Sequence, residues 1–225
     1  MRLEEILQKL KSFSKPENIA GMARFGINPK NTYGVSIPDV REIAKEIYKD
    51  HKLAQELWDT GIHEAKILAS MIDVPEMVTE KQMNSWVKDF DSWDVCDQVC
   101  MNLFDKTKFV EKKVIEWSSN ESEFIKRAGF TLMATSAVHA KDKWDGFFLE
   151  FLPIIKREST DERNYVKKAV NWALRQIGKR NIKLNKASII TSKEIQKIDS
   201  KSAKWIASDA LRELNSDAVQ KRLRR

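Results

Sequence analysis

The stretch Asp161–Asn181, DERNYVKKAVNWALRQIGKRN, decides the fold. It reads as one helix with two opposed faces. Each residue advances roughly 100° about the axis, which places Val166, Ala169, Val170, Ala173, Leu174 and Ile177 on one side, as a core-facing stripe requires. Lys168, Arg175 and Lys179 fall on the other side. Trp172 falls among those cations, with no evident core partner. Its flat face then suits a polyanion that carries sugars and bases; the competing reading wedges it between neighbouring helices.

The same period runs outward in both directions. Leu3, Ile6, Leu7 and Leu10 form the first stripe. Val40, Ile43, Ala44 and Ile47 form another, entered through Pro38. Ala65, Leu68, Ala69 and Ile72 follow, then Met83, Trp86, Val87 and Phe90, then Cys96, Val99, Cys100 and Leu103. A weaker stripe holds Phe124, Ala128 and Leu132, with Thr135 and Ser136 where it should continue. Trp144, Phe147, Phe148, Phe151 and Ile155 precede the opening helix. Leu184, Ala187 and Ile190, then Ala203, Ile206, Ala210 and Leu214, close the chain. No alternating run of strand type is present.

The helices repeat. Segments beginning near Ile62, Ser92, Glu121, Asp161 and Ser200 each follow a shorter helix. HEAKILASMI, EFIKRAGFTLM, YVKKAVNWAL and KWIASDALREL share a polar or aromatic start, one or two basic residues, then small and apolar ones. A spacing of roughly 30 to 40 residues matches helical-pair repeats of the HEAT type. The expected fold is therefore all-α: one domain over residues 1–225, a superhelical array of HEAT-like repeats. Ala65, Ala69, Ala128, Gly129, Ala169 and Ala173 would let neighbouring helices approach closely. The second helices would line a concave surface carrying some subset of Lys66, Lys126, Arg127, Lys167, Lys168, Arg175 and Arg212.

Composition sets the limits. With 7 Gly and 5 Pro among 225 residues, long helices are favoured over turn-rich β structure. The formal charge of +7 suits an anionic partner. Cys96 and Cys100, four apart, read as small packing residues. The first ten residues are amphipathic with charges throughout, so no signal peptide is expected, and no apolar run is long enough to span a membrane. Neither HExxH nor a Cys/His cluster is present, and there is no Gly-rich phosphate loop, so no metal or other cofactor is expected. His63 and Glu64 read as a capping or packing pair. The basic end QKRLRR, Gln220–Arg225, reads as a disordered tail.

Three constellations have chemical potential. In FDSWDVCDQVC, Phe90–Cys100, Trp93 and Asp97 are about one turn apart and so share a side at the margin of the apolar stripe. A carboxylate beside an indole at a groove margin can stabilise positive charge or hold a water; the plainer alternative is a packed tryptophan and an acid favoured by the helix dipole. In EFIKRAGF, Glu123–Phe130, Arg127 lies off the apolar face, as a phosphate contact or as an ion pair to the next repeat. Trp172 with its cations is the third.

These segments, in this order, resemble the AlkD-type DNA alkylation repair glycosylases, a family built of HEAT-like repeats. The resemblance runs from MARFGI (22–27) and YGVSIPDVREIAKEI (33–47) through SWDVCD, FIKRAGF and YVKKAVNWALRQIGKRN. It implies that Trp93, Asp97 and Trp172 are catalytic and that Arg127 lies in the DNA-binding groove; the cations Lys126, Lys168, Arg175, Lys179 and Arg212, read from the helix faces, are expected to hold DNA beside it. The implied reaction is excision of cationic alkylated purines, such as 7-methylguanine and 3-methyladenine, from duplex DNA, without a pocket for the base. The protein is expected to be a cytoplasmic monomer, nucleoid-associated if prokaryotic. One position departs from the pattern: the residue before the first tryptophan is aromatic in the best-known active members and is Ser92 here. Two rivals stand beside this reading, a non-catalytic module that binds DNA structure and a HEAT-type scaffold for an acidic peptide.

Overall fold

The computed structural model describes residues 1–224, and these form two compact units, Met1–Phe109 and a second beginning at Val110. The first holds α1 (Leu3–Ser12), α2 (Pro16–Arg24), α3 (Ile37–Lys45), α4 (His51–Asp59), α5 (His63–Ile72), α6 (Glu80–Trp86) and α7 (Trp93–Asn102). The second holds α8 (Val110–Ser118), α9 (Glu123–His139), α10 (Asp145–Leu149), α11 (Phe151–Glu158), α12 (Asn164–Gly178), α13 (Ile182–Ile195), α14 (Lys201–Leu214) and α15 (Asp217–Leu223). Short 3-10 turns aside, the described residues are otherwise loops; no strand occurs among them. The chain is an all-α array of HEAT-like repeats, as its periodicity predicts.

Caps and turn residues account for the helix starts. Ser36, Asp50, Thr79, Asn181, Ser200 and Ser216 each accept a backbone N–H from the first turn of the helix that follows. Pro16 and Pro38 sit in the first turn of α2 and α3, where a missing N–H costs nothing.

The repeat length is written in the hydrogen bonds between neighbouring repeats. In the first unit Tyr33 with Glu64, Trp58 with Asp89 and His63 with Asp94 are each 31 residues apart. In the second, Arg127 with Tyr165, Arg157 with Ser119, Lys156 with Glu194, Asn171 with Asp209 and Arg175 with Glu213 are each 38 apart. Equivalent positions of successive repeats stack on one another, so the separation of the partners equals the repeat. The second unit has the longer repeat because its helices are longer: 17 and 15 residues in α9 and α12, against 10 in α5 and α7.

Helix α12 buries the six apolar residues of its predicted stripe completely. It packs on α9, α13 and α14. It is shorter than the sequence suggests: Asp161–Arg163 form a turn closed by Arg163 on Asp161, and Lys179 is the C-cap. The weak stripe of α9 has a different cause. This helix lies between α8 and α12, so it is buried all round from Arg127 to Ala137. A Cβ on Gly129 would stand 2.6 Å from the Ser118 backbone nitrogen, so only glycine admits α8 at this distance.

Two expectations need correction. Ile190 is 59% exposed, because α13 turns Leu184, Ser188, Thr191 and Ile195 inward instead. The basic end is helical through Leu223, capped by the Ser216 hydroxyl and anchored by the buried Val219; Arg225 lies outside the described residues. Cys96 and Cys100 are buried in the core and form no disulfide, as their reading as packing residues predicts.

A buried carboxylate organises the loop that leads into α3. Glu64 is 1% exposed, and it accepts hydrogen bonds from the Thr32 hydroxyl (2.7 Å), the Tyr33 N–H (3.1 Å) and the Val35 N–H (3.1 Å). Between these, Gly34 has φ +73°, and a Cβ there would strike the Lys15 carbonyl at 2.3 Å. Removing the acceptor strands several donors away from water. Glu64→Ala should therefore cost about 3 kcal/mol of stability in urea denaturation, and a loss under about 1 kcal/mol would contradict this role.

Candidate nucleic-acid interface

Helix α7 begins at Trp93, with the fully buried Ser92 as its N-cap residue. The position that resemblance makes aromatic is thus a small buried side chain. Trp93 and Asp97 share one side of α7 and are both half-buried, while Val95, Cys96, Val99 and Cys100 face the core. The structure brings these two predicted residues together at the edge of the first unit's core. The Trp93 indole N–H is already committed: it donates to the Phe25 carbonyl at 2.9 Å, tying α7 to the end of α2.

Beside them is a pair that helical periodicity does not reveal. His63, the first residue of α5, is 6% exposed, and its Nε2 lies 2.9 Å from the Asp94 carboxylate. Burial pulls the His63 pKa down, but the Asp94 carboxylate, with help from Glu64 and Asp91, outweighs it and holds the value above that of an ordinary histidine. Burial likewise pushes Asp94 up, and its bond to His63 brings it below the usual carboxylate range. The expected His63–Glu64 pair is corrected: each side chain points to a different repeat. The pair was hidden because its partners are one repeat apart in sequence.

The second unit holds the remaining predicted residues. Trp172 is half-buried on α12, and its indole N–H has no hydrogen-bond partner among the described residues. Lys168, one turn earlier, is exposed and makes no ion pair among the described residues. The other cations are engaged. Lys126 reaches Glu158 at 2.6 Å and Asp161 at 3.4 Å. Arg175 pairs with Glu213 and with Asp209 (3.5 Å), Lys179 with Glu213 (2.6 Å), and Arg212 with Asp209. Burial raises the Glu213 pKa, but its bonds to Lys179 and Arg175 win and hold it below the usual range. Arg127 does not lie off the buried face as expected: it is 6% exposed and donates to the Tyr165 carbonyl at 2.6 Å, because α12 covers that side of α9.

Sequence reasoning missed Trp205, which is 42% exposed on α14 with the Lys167 ammonium 5.3 Å from its ring centroid. Offsetting the sequence by 38 residues would have found it opposite Lys167, and the acids Asp209 and Glu213 opposite Asn171 and Arg175. No group of three or more His, Cys, Asp or Glu among the described residues is placed to hold a metal, and no helix among them is long and apolar enough to cross a membrane.

Helix pairs stacked at a constant offset define a HEAT-like repeat protein. The chain belongs to the DNA alkylation repair enzyme family, whose pattern matches residues 6–214. A solved structure is similar in fold, with a TM-score of 0.79 and 18% identity over 99% of this chain and 96% of that one; it is described as a new family of proteins related to the HEAT-like repeat DNA glycosylases with affinity for branched DNA structures. A designed armadillo repeat protein in complex with a Lys–Arg peptide aligns at 12% identity over 83% of this chain and 89% of that one, with a TM-score of 0.34, too low to carry an argument. No curated protein matches.

Two outcomes are expected. A group with a raised folded pKa stabilises the fold fully below its unfolded value, and that contribution disappears as pH climbs through the raised one. His63 should follow this course, and Asp94 the reverse at acid pH. Asp94→Asn should lower the His63 midpoint in an NMR titration; an unchanged midpoint would refute the coupling. In DNA binding at several salt concentrations, Lys168→Ala should reduce the slope of log K against log salt by about one, whereas Arg175→Ala, already neutralised, should barely alter it. Equal changes in slope would count against this assignment of charges.

Proposed function

We propose that the protein binds duplex DNA and hydrolyses the N-glycosidic bond of cationic alkylated purines, of the 7-methylguanine and 3-methyladenine type. The observation that carries this reading is Asp97, held one turn from Trp93 on a rigid helix and neither sealed in the core nor fully solvated. Alkylation leaves the purine positively charged. When the bond from C1′ to the ring nitrogen breaks, its electron pair goes to the base, which leaves neutral and needs little help from an acid. The sugar left behind is an oxocarbenium-like cation. A carboxylate beside it lowers the barrier and orients the water that adds to C1′, with loss of one proton. The carboxylates of Asp97 on α7 and Asp91 just before it favour a cation there, even though they repel phosphate, while the charge of Asp94 is balanced by His63. Within the second unit, Trp172 offers a stacking face and Lys168 a phosphate contact for the same DNA-binding reading.

A second reading has its own support. The indole N–H of Trp93 is spent on Phe25, most of the predicted cations are neutralised, and Ser92 replaces an aromatic residue. A module that recognises branched DNA without excision fits these facts, and affinity for branched DNA is described for the relative of similar fold.

The two readings separate in one assay. On methylated DNA, Asp97→Asn should lower base release by roughly a hundredfold, while affinity for the same DNA stays within about twofold. Equal release by the two proteins would eliminate the catalytic role of Asp97. Tight binding of a branched substrate with no release from methylated DNA by the unaltered protein would establish the second reading.

A further inference from the structure

A cavity of about 530 Å³ lies in the first unit, between α2, the loop that leads into α3, α5 and α7. Gly21, Phe25, Ile37, Ile67, His63 and Trp93 are among the residues that line it. Helix α2 has no fully buried residue, and a Cβ added at Gly21 would meet nothing within 4 Å. This helix is held to the loop at Gly34 through Lys15 and Asn18 but stands off from α5 and α7, which leaves a chamber where an ordinary amphipathic helix would seat its apolar face.

The chamber is built rather than slack. The bond from the Trp93 indole N–H to the Phe25 carbonyl fixes one aromatic wall. Glu64 fixes the loop that forms another. The mainly apolar lining carries a few polar groups, Asn18, Ser36, Asp94 and His63; His63 is 6% exposed, Asp94 holds its Nε2, and its Nδ1 has no partner among the described residues. That nitrogen donates when the ring is protonated and accepts when it is not. A fixed aromatic plane beside a hydrogen-bonding ring edge in a largely apolar chamber is the recognition surface for a flat heterocycle. At the mouth, Phe25 is 74% exposed, and the adjacent Arg24 is exposed with no ion pair among the described residues. An unneutralised cation at the entrance suits a heterocycle that hangs from a phosphate backbone.

We propose that this cavity receives one extrahelical nucleobase of bound DNA, stacked against Trp93 and hydrogen-bonded by His63 Nδ1. The inference rests on the DNA-binding part of the reading above and not on excision. It gives Trp93 two neighbours, the chamber on one hand and Asp97 on the other. It also gives the chain a base pocket where its resemblance implies none. An unpaired base at a lesion or a branch has already lost its partner, so moving it into the chamber costs least there.

Gly21→Phe tests this directly, since its side chain would enter the open space, and Gly21→Ala is the control that favours the helix without filling the chamber. Two DNA ligands are compared: a duplex with one bulged purine, and the same duplex with a tetrahydrofuran residue in place of that nucleotide. The full-length protein and Gly21→Ala should bind the bulged purine about tenfold more tightly, as stacking of one base on an aromatic ring allows. Gly21→Phe should bind both ligands alike, with the affinity for the abasic ligand retained. His63→Ala should reduce the preference independently. Equal affinity of the unaltered protein for the two ligands, or an intact preference in Gly21→Phe, overturns the proposal. If neither DNA is bound at all, the DNA-binding reading fails by itself. Saturation-transfer NMR with free guanosine then decides on the chamber: contact that Gly21→Phe abolishes supports it, and absence of contact overturns it.

Discussion

Side chains at equivalent positions of successive repeats touch one another, and this constraint governs each of the two units. It sets a recurring series of inter-repeat hydrogen bonds at a separation of 31 residues in the first unit and 38 in the second. Small residues make the approach possible: Ala65, Ala69, Ala128, Ala169 and Ala173 are all fully buried, and Gly129 admits a backbone where no side chain fits. With helices this close, each polar group on a stacked face must find its partner one repeat away or remain unpaired in a dry interface. Glu64, Asp94, Asp209 and Glu213 are the answers to that demand.

The same constraint redistributes the charge. An excess of +7 is an average over the chain, and the helical wheel of α12 concentrates it around Trp172. Stacking then sets Asp209 and Glu213 of α14 against Arg175 and Lys179, and Glu158 and Asp161 against Lys126. What remains for an anion is a thinner set, with Lys168 and Arg24 exposed and unpaired among the described residues. Around Trp93 the balance is acidic.

Trp93 joins the two sites of the first unit. Its N–H holds the end of α2, its ring walls the cavity, and Asp97 is one turn further along the same helix. His63 and Asp94 stiffen this arrangement with a 2.9 Å bond in a buried setting, where each holds the other's charged form. A tryptophan whose polar edge is already satisfied can act on a ligand only through its face, so stacking is its remaining chemistry.

The sequence by itself determined the helices, the stripe of α12, the small residues at the contacts, the burial of Cys96 and Cys100, and the placing of Trp93 and Asp97 on one side of α7. These follow from a 3.6-residue period, which is local and needs no knowledge of the neighbours. It misjudged α9, Arg127, Ile190 and the basic end, because burial on a second side and docking of the last helix are properties of what packs against a segment. The pairing of His63 with Asp94, the neutralised cations of α12 and the cavity beneath α2 were decided by tertiary structure alone. Each joins residues tens of positions apart, and the offset that brings them together exists only once whole repeats have stacked.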